Sequence, residues 1–368
     1  MQNQSSMPDP PIVVRLDGEI DAGSDPRRRA ITLARRGAYL ARTGQSAEAL
    51  VLGQYLRSEH RNASDPELFC WIWILEAIAS CYGIKSPAEH ALLVRAYEVA
   101  KSTGLVEVKQ IAAAWLAHVC FDENKYHEMV KWLNESWSLD AQSAEAACRA
   151  SIVLAAAMEM AGCRAESLKW FGKARLLAQQ TGDRAAIVAL ASNRAAMRLD
   201  RIWLEWVFSR SYADNIFDID RELTGGLAFE ELTRSVTMVS QVSIWRMRVN
   251  IIKGQNVDAL NVFLETREQF TEELPVLKAK LAIAAWLFQI NGDCRLALEY
   301  YNSAIRDSFE LFDPDDLATS LKLLSKVSAT LIFDGRYDEL NKSADIAVQK
   351  YDSDRDMLAM LLCGFGEK

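Results

Sequence analysis

Apolar residues return along this chain at a helical spacing, and a short polar turn interrupts them about every 40 residues. Leu281, Ala284, Ala285 and Phe288 trace one such face, the i, i+3, i+4, i+7 stripe of an amphipathic helix. The clearest turns are Gly44 in Thr-Gly-Gln-Ser-Ala-Glu-Ala-Leu, Gly162 in Ala-Gly-Cys-Arg-Ala-Glu-Ser-Leu and Gly254 in Lys-Gly-Gln-Asn-Val-Asp-Ala-Leu. At each, an apolar helix closes on glycine and a second amphipathic helix opens two or three residues later. A unit of this length cannot bury its apolar face alone, so neighbouring units must stack.

The pattern predicts eight helix pairs, with turns near Gly44, Gly83, Glu123, Gly162, Asp200, Gly254, Gly292 and Gly335. Successive turns lie 38 to 43 residues apart, except for one interval of 54. That interval places an insertion at 217–226, ending in Gly225-Gly226. It reads as an irregular segment, either an ordinary long loop or a hinge. Residues 1–25 read as a flexible polar arm carrying Pro8, Pro10 and Pro11. Asp25-Pro26 then supplies a cap and a first-turn proline. The expected division is hairpins over 26–216, the irregular segment, then hairpins and a capping helix over 227–368.

Five, nine and twelve residues past Gly292 come Ala297, Tyr301 and Ala304, and past Gly162 come Ser167, Phe171 and Ala174. A small residue at the first offset lets paired helices approach, and a larger one at the second fills the groove. In these positions the chain resembles the tetratricopeptide-repeat superfamily, from about residue 27 to 350. It departs from that pattern in three ways. Most repeats run to about 39 residues rather than 34, the proline between repeats is largely absent, and the full consensus is met nowhere. Long divergent repeats of this kind are similar to those of bacterial regulatory and sensory proteins. The resemblance implies an all-α, right-handed α-solenoid of about eight hairpins, whose first helices line a concave face.

Half of the 368 residues are apolar and a quarter are charged, the balance of a globular chain. The net charge of −8 argues against nucleic acid and anionic membranes as partners. The longest apolar runs, around 70–79 and 281–290, fit buried helix better than a membrane span. Seven cysteines at irregular spacings do not form a disulfide framework, which suits a cytoplasmic protein with free thiols. His118, Cys120 and His127 fall near one turn without a regular ligand spacing, so no metal site and no cofactor are expected. No phosphate loop, nucleophile elbow or His-Glu-x-x-His helix occurs, so an enzyme is not expected.

Charge placement is the sharpest remaining signal. Beyond their opening turns, the first helices of the last four pairs carry Arg194 and Arg198; Arg234, Arg246 and Arg248; Lys278 and Lys280; Lys322 and Lys326. These nine cations occur without one Asp or Glu. The opening helix adds Arg27, Arg28, Arg29, Arg35, Arg36 and Arg42. Two explanations stand side by side: cations favoured near helix C-termini, or a basic stripe lining a groove. Judged by the superfamily pattern, Arg194, Arg198, Arg248, Lys322 and Lys326 fit groove-facing offsets. Arg246 completes the candidate ligand-binding set. The functional expectation is a non-catalytic scaffold holding an acidic protein or peptide segment. The alternatives are a sensor that changes curvature on binding a signal, with Gly225-Gly226 as hinge, and, more weakly, an RNA-binding repeat. Nothing fixes the oligomeric state, and a homodimer is compatible with it.

Overall fold

A computed structural model of the chain describes residues 9–22, 25–82, 88–137, 143–212, 214–233, 239–255, 273–305, 312–331 and 336–365. The described residues are helical, with no strand among them. The expected turns at Gly83 and Gly335, and Arg234, lie outside them. In order, the helices are α1 (Pro11–Ala22), α2 (Pro26–Ala41), α3 (Ser46–Glu59), α4 (Pro66–Cys81), α5 (Ala88–Thr103) and α6 (Val106–Asp122). They continue with α7 (Tyr126–Trp137), α8 (Ala144–Met160), α9 (Arg164–Thr181), α10 (Arg184–Val207) and α11 (Ile216–Thr233). The last are α12 (Val239–Ile252), α13 (Glu273–Trp286), α14 (Cys294–Ile305), α15 (Pro314–Thr330) and α16 (Arg336–Leu362). No helix among the described residues is long and apolar enough to cross a membrane.

One turn chemistry recurs. A residue with positive φ ends the helix, and the next N–H reaches back to the carbonyl five residues earlier. Gln45 donates to Leu40, Lys125 to Cys120, Cys163 to Met158, Asp183 to Ala178, Arg210 to Glu205 and Gln255 to Asn250. The preceding residues are Gly44, Asn124, Gly162, Gly182, Ser209 and Gly254. This satisfies an orphan carbonyl of the last helical turn, and glycine adopts the left-handed angles at least cost. Asn124 and Ser209 do the same without glycine, at φ 58° and 55°.

Ser209 also corrects the expected turn at Asp200. α10 runs unbroken through Asp200 to Val207, and the chain turns at Ser209 instead. Nothing at 200 breaks a helix, since neither glycine nor proline is present there. The expected irregular segment 217–226 is helical as well, lying within α11. Gly226 serves packing there: a Cβ on it would sit 3.1 Å from the Ser192 hydroxyl.

The chain divides into two compact units. The first comprises Met1–Leu190, Ala228–Thr237 and Leu358–Lys368, and the second Ala191–Leu227 and Met238–Met357. In the first unit each of α2 to α9 packs on its neighbour in sequence, and α2, α4, α6 and α8 also pack successively on one another. Helices flanked in this way are apolar nearly all round. α8 is buried without interruption from Ala146 to Glu159, and α4 from Cys70 to Ala79. Of the expected flexible arm, residues 1–8 and 23–24 lie outside the described residues, and Pro11–Ala22 form α1 instead. Ile12, Val13 and Leu16 bury against Tyr39 and Ala185, whereas Val14 is exposed. That is the face of a helix and not the alternation of an extended segment.

In the second unit Ala195, Leu199 and Ile202 of α10 pack with Ile219 of α11 and Trp245 of α12. A larger core joins Trp203, Met247, Trp286, Tyr301 and Leu324. The small-large-small positions Ala297, Tyr301 and Ala304 are each 0% exposed, as are Ser167 and Ala174 of the first unit. The Ser167 hydroxyl donates to the Ala155 carbonyl at 2.9 Å, which holds α9 close to α8.

Candidate functional site

The six cations of the expected groove do not form a free stripe. Arg198 is buried and paired with Asp214 at 2.9 Å and Glu222 at 2.8 Å. Arg194 lies 3.9 Å from the same Glu222. Arg248 is 6% exposed and clasps Asp200 and Asp316, both at 2.6 Å, with its guanidinium 5.5 Å from the Trp203 ring centroid. Lys278 reaches Asp316 from the other side. Lys322 hydrogen-bonds Asn341 and approaches Asp345 at 3.7 Å. Lys326 donates to the Val207 carbonyl at 2.6 Å, and burial with the Lys322 charge holds its amine below the ordinary lysine range. Of the six, Arg246 is exposed.

The acids come from places that a count over the first helices as predicted from sequence does not include. Asp200 and Glu222 lie inside α10 and α11, Asp214 in the turn between them, and Asp316 in the opening turn of α15. Buried guanidinium groups demand such partners. Asp316 is pushed up by burial, but the cations of Lys278 and Arg248 outweigh that and hold its carboxyl well below the usual range.

A different site emerges in the first unit, where a small cavity is lined by Arg42, Trp115, Glu145, Cys148, Arg149, Ile152, Asp183 and Ala186. α2 supplies the approach to Arg42, α6 supplies Trp115, and α8 supplies Glu145, Cys148, Arg149 and Ile152. Asp183 caps α10, its carboxylate accepting the Ala186 N–H at 2.9 Å. The same carboxylate pairs with Arg42 at 2.8 Å. Glu145 leans toward Arg35 at 3.8 Å, and burial pushes its carboxyl up against the pull of Arg35 and Arg42. Burial pushes the Cys148 thiol up to about 12, and its sulfur donates to the Ala174 carbonyl, so it is a packed thiol and not a nucleophile.

Arg149 differs from Arg42, the other cation lining this cavity. It is 6% exposed, its guanidinium lies 3.9 Å over the Trp115 ring centroid, and no carboxylate pairs with it among the described residues. The aromatic face offsets part of its charge and leaves its N–H groups unspent. A planar donor fork of this kind suits a carboxylate or another oxyanion. The cavity has room for about one water, so only the tip of a ligand fits it. Sequence reasoning passed over Arg149. Its signal was a lone arginine in the alanine-rich run Ala-Glu-Ala-Ala-Cys-Arg-Ala-Ser, where helix stacking leaves no solvent face.

Compared with known proteins, the chain matches no family model, and no curated protein matches it.

Proposed function

We propose that the chain is a non-catalytic scaffold of tetratricopeptide-like hairpins, stacked as a right-handed α-solenoid, that holds a protein or peptide segment by an acidic side chain. The successive packing of α2, α4, α6 and α8 supports the solenoid reading. The binding reading rests on one observation, the buried Arg149 that stacks on Trp115 and lacks a carboxylate partner among the described residues. With no ion pair of its own among the described residues, the Arg149 guanidinium keeps donors available for an incoming Asp or Glu. This reading moves the binding function from the cations of the second unit to the first, because the former already hold their own acids. Aliphatic and aromatic neighbours of the acid supply the remaining affinity.

Selection of displayed random peptides on the full-length protein tests the proposal. Enriched peptides are expected to share an Asp or Glu, and Arg149→Gln should weaken them at least tenfold while Arg246→Gln leaves them unchanged. Arg149→Gln should leave the helical content intact, since no ion pair among the described residues is lost with it. Enrichment without a common acid, or equal binding by Arg149→Gln, would overturn the proposal.

A further inference from the structure

A second cluster in the first unit joins three residues from three consecutive helices. His90 lies in the first turn of α5, Cys120 in the last turn of α6 and Glu128 in the first turn of α7. The Asn124 turn folds α7 back on α6, so that Cys120 and Glu128, eight residues apart in sequence, face one point. α5 packs on α6 and brings His90 to the same point. One imidazole nitrogen, the Cys120 sulfur and one Glu128 carboxylate oxygen all lie within 4.8 Å of one another.

Two observations set this cluster apart from packed polar residues. The His90 Nε2 is buried and has no hydrogen-bond partner among the described residues. Cys120 is 0% exposed beside the carboxylate of Glu128, and no hydrogen bond or ion pair joins these two. A buried imidazole nitrogen without a partner is costly, and a metal ion satisfies it. The nearby histidines do not share the site. His118 approaches Asp122 at 3.6 Å and sets its ring edge-on to Trp115, while His127 is exposed.

We propose that His90, Cys120 and Glu128 form a three-ligand site for a divalent cation of the zinc class. The nitrogen, sulfur and oxygen set is borderline-soft, which suits zinc and disfavours calcium and magnesium, whose ligands are oxygens. Thiolate and carboxylate together offset the dication, leaving a neutral site at a partly buried position. Ligand atoms around tetrahedral zinc lie about 3.3 to 3.8 Å apart, so closure takes about 1 Å of side-chain movement. Glu128 is exposed, so the fourth position opens to solvent and takes water or a donor from a bound partner. The metal would tie α5, α6 and α7 at one end.

Titration of the chelator-treated full-length protein with Co2+ tests the site. One equivalent should give tetrahedral visible bands and a thiolate-to-cobalt charge-transfer band, both displaced by Zn2+. Cys120→Ser should abolish the charge-transfer band, and His90→Ala and Glu128→Gln should each weaken binding at least tenfold. His118→Ala and His127→Ala should bind as the parent does. Far-UV circular dichroism establishes that each variant is folded. Should a variant unfold, the parent decides the matter through its Zn2+-dependent rise in melting temperature and its charge-transfer band. An octahedral spectrum without a thiolate band, or a band that survives Cys120→Ser, would overturn the proposal.

Discussion

The Arg42 guanidinium meets the Asp183 carboxylate at 2.8 Å, joining positions 141 residues apart in sequence. Both side chains are about 5% exposed, and Asp183 also accepts the Ala186 N–H that opens α10. Removing one partner strands a buried charge, which costs about 3 to 5 kcal/mol. Asp183→Ala should therefore lower stability by about that amount, with part of the loss coming from the missing cap. The double variant Arg42→Met, Asp183→Leu should lose less than the sum of the single variants, because no charge is left alone. Denaturant unfolding of the four proteins measures this, and additive losses would count against the pairing.

Two left-handed glycines separate backbone strain from packing. Gly182 and Gly254 both have φ 70°, so alanine at either costs about 1 kcal/mol. A Cβ at Gly254 meets nothing within 4 Å, whereas at Gly182 it meets the Pro11 Cβ at 2.7 Å and the Ile12 nitrogen at 3.1 Å. Gly182→Ala should therefore lower the melting temperature by clearly more than Gly254→Ala. It should also release α1, seen as faster proteolysis within residues 11–22. Equal shifts for both variants would mean that α1 does not seat against this turn.

What the sequence made legible, and what it hid, follows from the range of each interaction. Gly44, Gly162, Gly254 and Gly292 were readable as turns because a left-handed cap is a local demand, and all four have positive φ. Asn124 and Ser209 meet the same demand without glycine. The third turn therefore reads without a glycine signal, and the fifth reads at Asp200 in the sequence although the chain turns at Ser209. Moving that turn to Ser209 makes the intervals before and after it nearly equal, so the extra residues are shared between two long repeats and do not sit in one insertion. The basic stripe failed for a different reason. Arg248 finds Asp316 68 residues away and Asp200 48 residues away, and no count within one helix detects such partners. Arg149 was invisible until stacking showed that its face of α8 is buried.

Charge reversal separates structure from binding in the second unit. Arg248→Glu would place a third carboxylate beside Asp200 and Asp316, leaving Lys278 as the cation that still faces Asp316. Its expected effect is a loss of about 3 kcal/mol or more, with reduced helical content. Arg246→Glu, on an exposed side chain, should change stability by no more than about 0.5 kcal/mol. Thermal melts followed by circular dichroism distinguish the two. A fully folded Arg248→Glu protein would show that the Arg248 pairs contribute little.

Asp315 gives the second unit a pH dependence of a particular sign. Burial, then the carboxylates of Asp316, Asp200 and Asp313, push the Asp315 carboxyl up to about 8, against the opposing charge of Lys278. A raised folded value means that the native state holds this proton more tightly than the unfolded chain. The stability linked to it is fully present below the ordinary carboxylate value of 3.8 and is lost as pH rises toward 8. Asp315→Asn cannot release the proton. Its advantage over the parent should grow from about pH 4, by at most about 1.4 kcal/mol per pH unit, and level off above about 8. Asp316 runs the other way: its carboxyl is held low by Lys278 and Arg248 despite burial, so its contribution is lost on acidification below the ordinary value. Melting temperatures of parent and Asp315→Asn between pH 5 and 9 test the first trend, and parallel curves would dismiss it. Asp316→Asn should instead destabilise throughout that range, because it leaves Arg248 and Lys278 with less opposing charge.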